Sequence, residues 1–460
     1  MSLIRRVRES RHRELDAVSF LSWYLVAVFA IESRYIIGPL GGAGTPAQVV
    51  AVAGIGWWLY FHTARATSTG SGVQPVRIAL LVFFLSYLAS YIEAMSRPIT
   101  AVESSGATLG MVGLAGWLGL ALLANDGIPD HDRFDTLLRR LVLAGTLLAA
   151  LGVAQFVFHT SLIRWFTIPG LQTNLPLGDL MSRSGFTRPA GTALHPIEFG
   201  AVLTTICPLA IAMARTSPVG RRLWRWVSVF LILLGIVVSG SRSAFLSTIV
   251  AVIVMGAVWS PLTRLRAAVA GIALIGFVAV AFPGMSGSML NLFTGFSEDG
   301  SIQSRTGSYD IAGQFFERSP WFGRGGSTFL PSYRIFDNQY LLTLIETGLV
   351  GLLALLGLFV TAFLCARAAR RISATPARAE TAQGIAAGVA AAATGFATYD
   401  GMSFPMGTGI LFLMVGLGGA AWRLAREARD GEREPDAKVK SPARARGRFA
   451  PGDPGKPIVT

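Results

Sequence analysis

"GMSGSMLNLFTGFSEDGSIQSRTGSYDIAGQFFERSPWFGRGGSTFLPSYRIFDN", from Gly284 to Asn338, runs straight into "QYLLTLIETGLVGLLALLGLFV", from Gln339 to Val360. The first part is a polar, Gly-rich loop of about 55 residues, and the second reads as a long apolar helix. Elsewhere short connections join the apolar segments. A chain that gathers one large charged loop at one membrane face is expected to carry its chemistry there.

Composition agrees with a chain that lives in lipid. Its 460 residues are 52% hydrophobic and only 14% charged, with a mean hydropathy of +0.53. A soluble domain needs about 25% charged residues to cover its surface, so a water-soluble globular class is excluded. Lysine occurs only at Lys438, Lys440 and Lys456, and arginine carries the rest of the formal +14. That basicity reads as membrane topology and not as nucleic-acid binding. Cys207 and Cys365 both fall in apolar segments and support neither a disulfide framework nor a thiolate metal site.

Outward from the opening stretch, apolar segments fit Val18 to Gly38, Ala47 to Thr63, Val76 to Met95, Gly106 to Ala124, Leu138 to Phe158 and Ile197 to Ala214. Others fit Trp226 to Ser239, Ala244 to Trp259, Ala267 to Pro283, Gln339 to Ala366, Ala382 to Tyr399 and Pro405 to Trp422. The expected fold is therefore an all-α integral membrane protein of about twelve transmembrane helices, with one large extracytoplasmic loop between the ninth and tenth spans. No A-x-A cleavage site follows the first span, which reads as retained. Three regions are expected: a basic tail over 1–16, a polytopic membrane domain over 17–422 with its large loop at 284–338, and a disordered tail over 423–460.

Short loops on one side hold Arg65, Arg77, Arg133, Arg139, Arg140, Arg215, Arg221, Arg222, Arg225, Arg264, Arg266, Arg367, Arg370, Arg371 and Arg378. Those on the other hold only Arg34, Arg97 and Arg242. The positive-inside bias then places both termini in the cytoplasm and the long loops outside the cell membrane.

The arginines that this bias should have excluded are informative. Arg188 lies in "RPAGTALHPIEFG", Arg242 in "SGSRSAF" and Arg305 in "SRTGSYDIAGQFF", all at the expected outer interface. A guanidinium near hydrocarbon is costly unless an anion meets it, and its fork of donors suits two oxygens of a diphosphate. The plain alternative is pairing with Glu32, Glu93, Asp179 or Asp400, or snorkelling to headgroups; Glu93 lies at helical spacing from Arg97. His195 and Glu198 share a short segment with Arg188, and Tyr309 lies close to Arg305; with Asn338 they are the candidates for lining a substrate site. His195 before Pro196 also suits a helix cap.

Asp337 and Asn338 stand at the edge of the long helix, where either suits an N-cap. Alternatively Asp337 faces the arginines and accepts a proton from an attacking hydroxyl, which needs local burial because nearby cations make a carboxylate a weak base. The histidines are scattered without zinc-binding spacing, so no metal or cofactor is expected. "GRGG" at Gly323 to Gly326 lacks the Lys and Ser/Thr of a P-loop and reads as a tight turn. On a continuous helix Glu346 projects away from Asp337 as a buried acid without an evident partner.

"DNQYLLTLIETGLVG" resembles the signature of bacterial O-antigen ligases and polymerases, a histidine and small polar residue followed at fixed spacing by G-x-x-G. Asn338, Gly348 and Gly351 match, and Asp337 stands where the family has histidine. "RPAGTALHPIEFG" resembles the family's R-x-x-G segment, "SGSRSAF" its S-R turn, and Ser304 to Gly326 its loop helix and P-x-x-G-x-G turn. The resemblance implies a metal-independent glycosyltransferase in which Arg188, Arg242 and Arg305 hold the diphosphate of a polyprenyl-linked glycan and Asp337 assists a glycan or glycolipid acceptor. The histidine's replacement makes polymerisation, or ligation to another acceptor, a better expectation than transfer to a lipid A core. A lipid transporter or flippase remains the competing class, and a noncatalytic part of a glycan export complex the third.

Overall fold

The computed structural model describes residues 16–64, 73–163, 167–173, 181–183, 186–281 and 300–439, with backbone alone at 64, 182, 183, 186, 300–308 and 432–439. The basic residues before Asp16, Asp179, the loop over 282–299 and the end of the chain after Val439 lie outside the described residues. The described chain is almost wholly helical. In order the helices are α1 (Ala17–Ala30), α2 (Pro46–Ala64), α3 (Pro75–Met95), α4 (Ala101–Gly127), α5 (His131–Phe158), α6 (Pro196–Arg215) and α7 (Val219–Val238). They continue as α8 (Arg242–Gly256), α9 (Pro261–Ala281), α10 (Gly300–Arg318), α11 (Gln339–Ile372), α12 (Pro376–Phe396) and α13 (Pro405–Val439). Two short antiparallel ribbons join β1 (Tyr35–Ile36) to β2 (Gln172–Thr173), and β3 (Met181–Arg183) to β4 (Phe186–Arg188).

Among the described residues seven helices, α3, α4, α5, α6, α9, α11 and α13, are long and apolar enough to cross a membrane. The first span was expected to reach Gly38. Instead α1 ends at Ala30, and a short 3-10 turn at Gly38–Ala43 follows. Polar side chains set the helix starts: Asp16 accepts the Ser19 amide, Asp130 the Arg133 amide and Ser241 the Ala244 amide. Thr100 and Glu103 form a reciprocal capping box on α4.

Helices α6 and α13 form the centre of the bundle and α9 its lipid-facing edge. Small residues let backbones approach closely: a Cβ on Gly416 would lie 2.3 Å from the Ala121 carbonyl of α4, and one on Gly388 2.5 Å from the Thr205 carbonyl of α6. The tail expected from residue 423 starts instead as helix, because α13 runs on to Val439. Arg423 is buried, and its guanidinium donates to the carbonyls of Asn125 (3.0 Å) and Ile128 (2.5 Å).

Contacts sort the helix ends into two sets. At one end Arg133 pairs with Asp16 (2.5 Å), Arg77 with Asp126 (2.8 Å) and Arg215 with Glu380 (3.4 Å). At the other lie the starts of α6, α8, α11 and α13, together with the residues between them that were singled out from sequence.

Helix α11 is broken. Gly348 sits at φ 66°, ψ −168°, which an L side chain would strain, so the helix read as continuous is two pieces. The turn Pro320 to Gly325 fills the gap. Arg324 and Gly325 donate their amides to the carbonyls of Ile345 (3.0 Å) and Glu346 (2.8 Å), while Leu349 and Val350 donate to Pro320 (2.8 Å) and Trp321 (3.2 Å). Backbone groups freed by the break are thus satisfied by the loop, as an apolar setting demands.

Candidate functional site

The edge of α11 supplies the first part of the site. Asn338 is the N-cap, its Oδ1 accepting the amides of Tyr340 (3.0 Å) and Leu341 (3.2 Å), which leaves Asp337 outside the helix and half-buried. Gln339 ties this edge to the turn between α12 and α13: its amide donates to the Tyr399 carbonyl (3.2 Å), and its Oε1 accepts the Met402 amide (2.8 Å). That turn carries Asp400. Burial raises its carboxyl above the usual range, the neighbouring Asp337 charge adds to the rise, and a hydrogen bond from Ser403 opposes it.

The second part comes from two segments far apart in sequence. Arg188 donates from Nε to the Ser239 carbonyl (2.9 Å), and a Cβ on Gly240 would lie 3.4 Å from the same nitrogen. Arg188 therefore lies over the tight turn that opens α8, whose first residue is Arg242. The next residue, Ser243, donates to the Thr398 carbonyl (3.4 Å), joining this turn to the one that holds Asp400. Arg188, Arg242, Asp400 and Asp337 thus belong to one connected set of turns at one end of the bundle.

His195 is the N-cap of α6, its Nδ1 accepting the Ile197 amide (3.1 Å), and its ring meets Phe404 with centroids 5.9 Å apart. Burial and the Arg188 charge push its pKa down to about 4, so it is neutral at physiological pH. Glu198 is fully buried, and backbone amides occupy both its oxygens: Met406 (2.7 Å) and Gly407 (3.1 Å) on one, Leu194 (2.7 Å) on the other. It staples the start of α13 to the start of α6, a structural task that its sequence position did not reveal.

The third part is the loop. Helix α10 packs on the edge of α11 through Ala312, Phe329, Phe336 and Ile345. Tyr309 on α10 is exposed; Arg305 lies in the same helix, but its side chain is outside the described residues, so its aim towards the other arginines is not part of this geometry. Arg324 locks the loop down. It pairs with Glu103 of α4, sits 5.1 Å from the ring centroids of Phe315 and Tyr333, and through its carbonyl accepts from Arg97. The helical Glu93 partner expected for Arg97 gives way to this contact.

Residues 227–356 match the O-antigen ligase family. The matched stretch begins in α7 and ends in α11, so it holds Arg242, Arg305, Tyr309, Arg324, Asp337 and Asn338, while Arg188, His195 and Asp400 lie outside it. A search of curated proteins finds no match. Within the matched stretch the glycines of the two motifs explain one another. A Cβ on Gly348 would lie 2.3 Å from the Trp321 carbonyl and one on Gly323 2.4 Å from the Glu346 carbonyl, so each is needed for the loop turn to enter the helix break. Glu346, read as lacking a partner, accepts the Phe329 amide (3.2 Å).

Sequence reading passed over Glu103 and Gln339, met Asp400 only as a possible arginine partner, and gave no site role to Arg324. Only Arg324 had a signal, a lone cation inside a Gly-rich turn. Among the described residues no group of His, Cys, Asp and Glu is arranged to hold a metal ion.

Proposed function

We propose that this protein transfers a glycan from a polyprenyl diphosphate to a sugar hydroxyl on a second glycan or glycolipid. The observation that carries the proposal is Arg188 lying over the turn that presents Arg242, beside the edge of α11 that carries Asp337. In the transfer, the bond from the anomeric carbon to the diphosphate oxygen breaks and a bond to the acceptor oxygen forms. The polyprenyl diphosphate leaves as an anion, and the acceptor proton passes to a carboxylate. Arg188 and Arg242, joined by Arg305 from the loop, offset the charge on the departing diphosphate. Asp337 takes the proton, and Asn338, His195 and Tyr309 line the sugar path; Glu198 holds the helices that frame it.

We place the site on the outer face of the cell membrane, with both termini in the cytoplasm and about twelve passes between them. The arginine-rich helix ends at the opposite end of the bundle support that orientation. The test is purified protein in nanodiscs given a synthetic polyprenyl-diphosphate glycan. Elongated or transferred glycan is expected, and translocation in liposomes without covalent change would replace the proposal by a flippase.

One observation favours that second reading, the broken helix α11, since discontinuous helices build many transporter sites. The break here is filled by the protein's own turn at Pro320 to Gly325, which leaves its polar groups engaged and favours the transferase.

A further inference from the structure

Helices α1 and α5 enclose a groove of about 910 Å³. On α1 it is lined at Ser19, Ser22, Trp23, Val26, Phe29 and Ala30, and on α5 by a matching stripe from Arg140 to Leu151. Each stripe keeps to one helical face over about 16 Å at 1.5 Å per residue. The lining is apolar except at its ends.

The ends differ. Away from the candidate site, Arg140 donates to Ser22 (2.6 Å) and marks the polar limit of the groove. Towards the site, Ile163, Ile168, Tyr35 and Glu32 line the groove, the Glu32 charge being offset by Arg34 (3.3 Å), and Tyr35 and the segment after α5 are joined by the pairing of Tyr35–Ile36 with Gln172–Thr173. The β1–β2 pairing therefore forms a strap at this end of the groove. Beneath it sits Thr192, whose hydroxyl donates to Phe29 (2.8 Å) and whose carbonyl accepts the Ser33 amide (3.1 Å). Thr192 belongs to the short segment between Arg188 and His195, so this end of the groove is lined by the same segment that carries Arg188.

We propose that this groove holds the isoprenoid chain of the lipid-linked donor, with the diphosphate emerging beneath the strap towards Arg188 and Arg242. The inference rests on the transferase reading for the identity of the donor. A single apolar chain with a narrow anionic head suits a passage that is strapped at one end and leads to guanidinium groups. A glycerophospholipid, with two chains diverging from one glycerol, suits an open lipid-facing crevice instead. Because the tail comes from hydrocarbon and not from water, its preference for the groove rests on close packing against the two stripes and on the head's contacts at the far end.

The test uses full-length protein in nanodiscs and a long-chain polyprenyl diphosphate carrying a diazirine on its tail. Photolabelling is expected within Ser19–Ala30 or Arg140–Leu151, with competition by unlabelled long-chain polyprenyl diphosphate but not by farnesyl diphosphate or excess phosphatidylglycerol. Ala144→Phe, which fills the groove from α5, and Val26→Phe, which fills it from α1, should each reduce that labelling about tenfold while thermal unfolding stays unchanged. Labelling elsewhere, or equal competition by phosphatidylglycerol, overturns the groove as the donor's site. Groove labelling in a protein that transfers no glycan supports the groove and overturns the transferase; transfer with no label in the groove does the reverse.

Discussion

Glu198 accepts the Met406 amide at 2.7 Å, linking the first turn of α6 to the first turn of α13 across the middle of the bundle. Because two further amides share the same carboxylate, Glu198→Ala strands three buried donors at once. A loss of about 3 kcal/mol in unfolding free energy is expected, and Glu198→Gln should recover part of it. Denaturant unfolding in detergent measures both.

Removing either guanidinium from the turn should stop chemistry without stopping folding. Arg242→Ala and Arg188→Ala are each expected to lower glycan transfer about 100-fold or more, with expression unchanged. Arg305→Ala should behave alike. Full activity in the Arg242 and Arg305 variants would remove the diphosphate clamp.

Asp337 and Asp400 can be separated by what they do. Asp337→Asn should abolish transfer, and retained turnover would leave this residue only a place at the helix edge. Asp400 has a carboxyl raised by burial and by Asp337, so the folded state holds its proton more tightly than the unfolded chain. Its stabilising share is present below the unfolded value and lost as pH rises through the folded one. Asp400→Asn should therefore make the protein more heat-stable at pH 7, as thermal unfolding can show.

His195 gives the opposite slope. Its folded pKa of about 4 lies below the ordinary histidine value, so the unfolded chain takes up the proton first as pH falls. Stability present above about pH 6.5 is lost progressively towards pH 4, where protonation of Nδ1 also cancels the cap on Ile197. In His195→Asn, which keeps a capping side chain, this part of the acid sensitivity should vanish from a pH series of unfolding midpoints.

Loop docking rests on glycine and arginine. Gly348→Ala places a methyl 2.3 Å from the Trp321 carbonyl at a positive φ, and Arg324→Ala strips Glu103 of its cation. Both variants should expose the segment around Ser319 to Tyr333 to limited proteolysis, with Gly348→Ala the more severe because backbone has to move.

Much of this architecture could be read from apolar periodicity, which placed an apolar segment in each of the helices α1 to α9 and α11 to α13. Helix ends were harder. The first helix stops at Ala30, where Ile31 turns extended and Ser33 donates to the Thr192 carbonyl, and α13 outlasts its apolar stretch with Arg423 donating to two carbonyls on α4 and its following turn. At the site, Arg188 and Arg242 were visible as cations where the charge pattern should have excluded them. Glu198 was visible too, yet which amides it would meet depended on α13, a helix more than 200 residues away. Asp400 and Arg324 were in view as residues, but their roles arise from tertiary neighbours and could not be read from sequence.

The junction between the loop turn and α11 also constrains how the protein can breathe. Lifting the turn away would strand the carbonyls of Ile345 and Glu346 and the amides of Leu349 and Val350 in apolar surroundings, at a cost of several kcal/mol for each group. This part of the loop is accordingly masonry and not a hatch: any movement that admits a ligand has to take place around it.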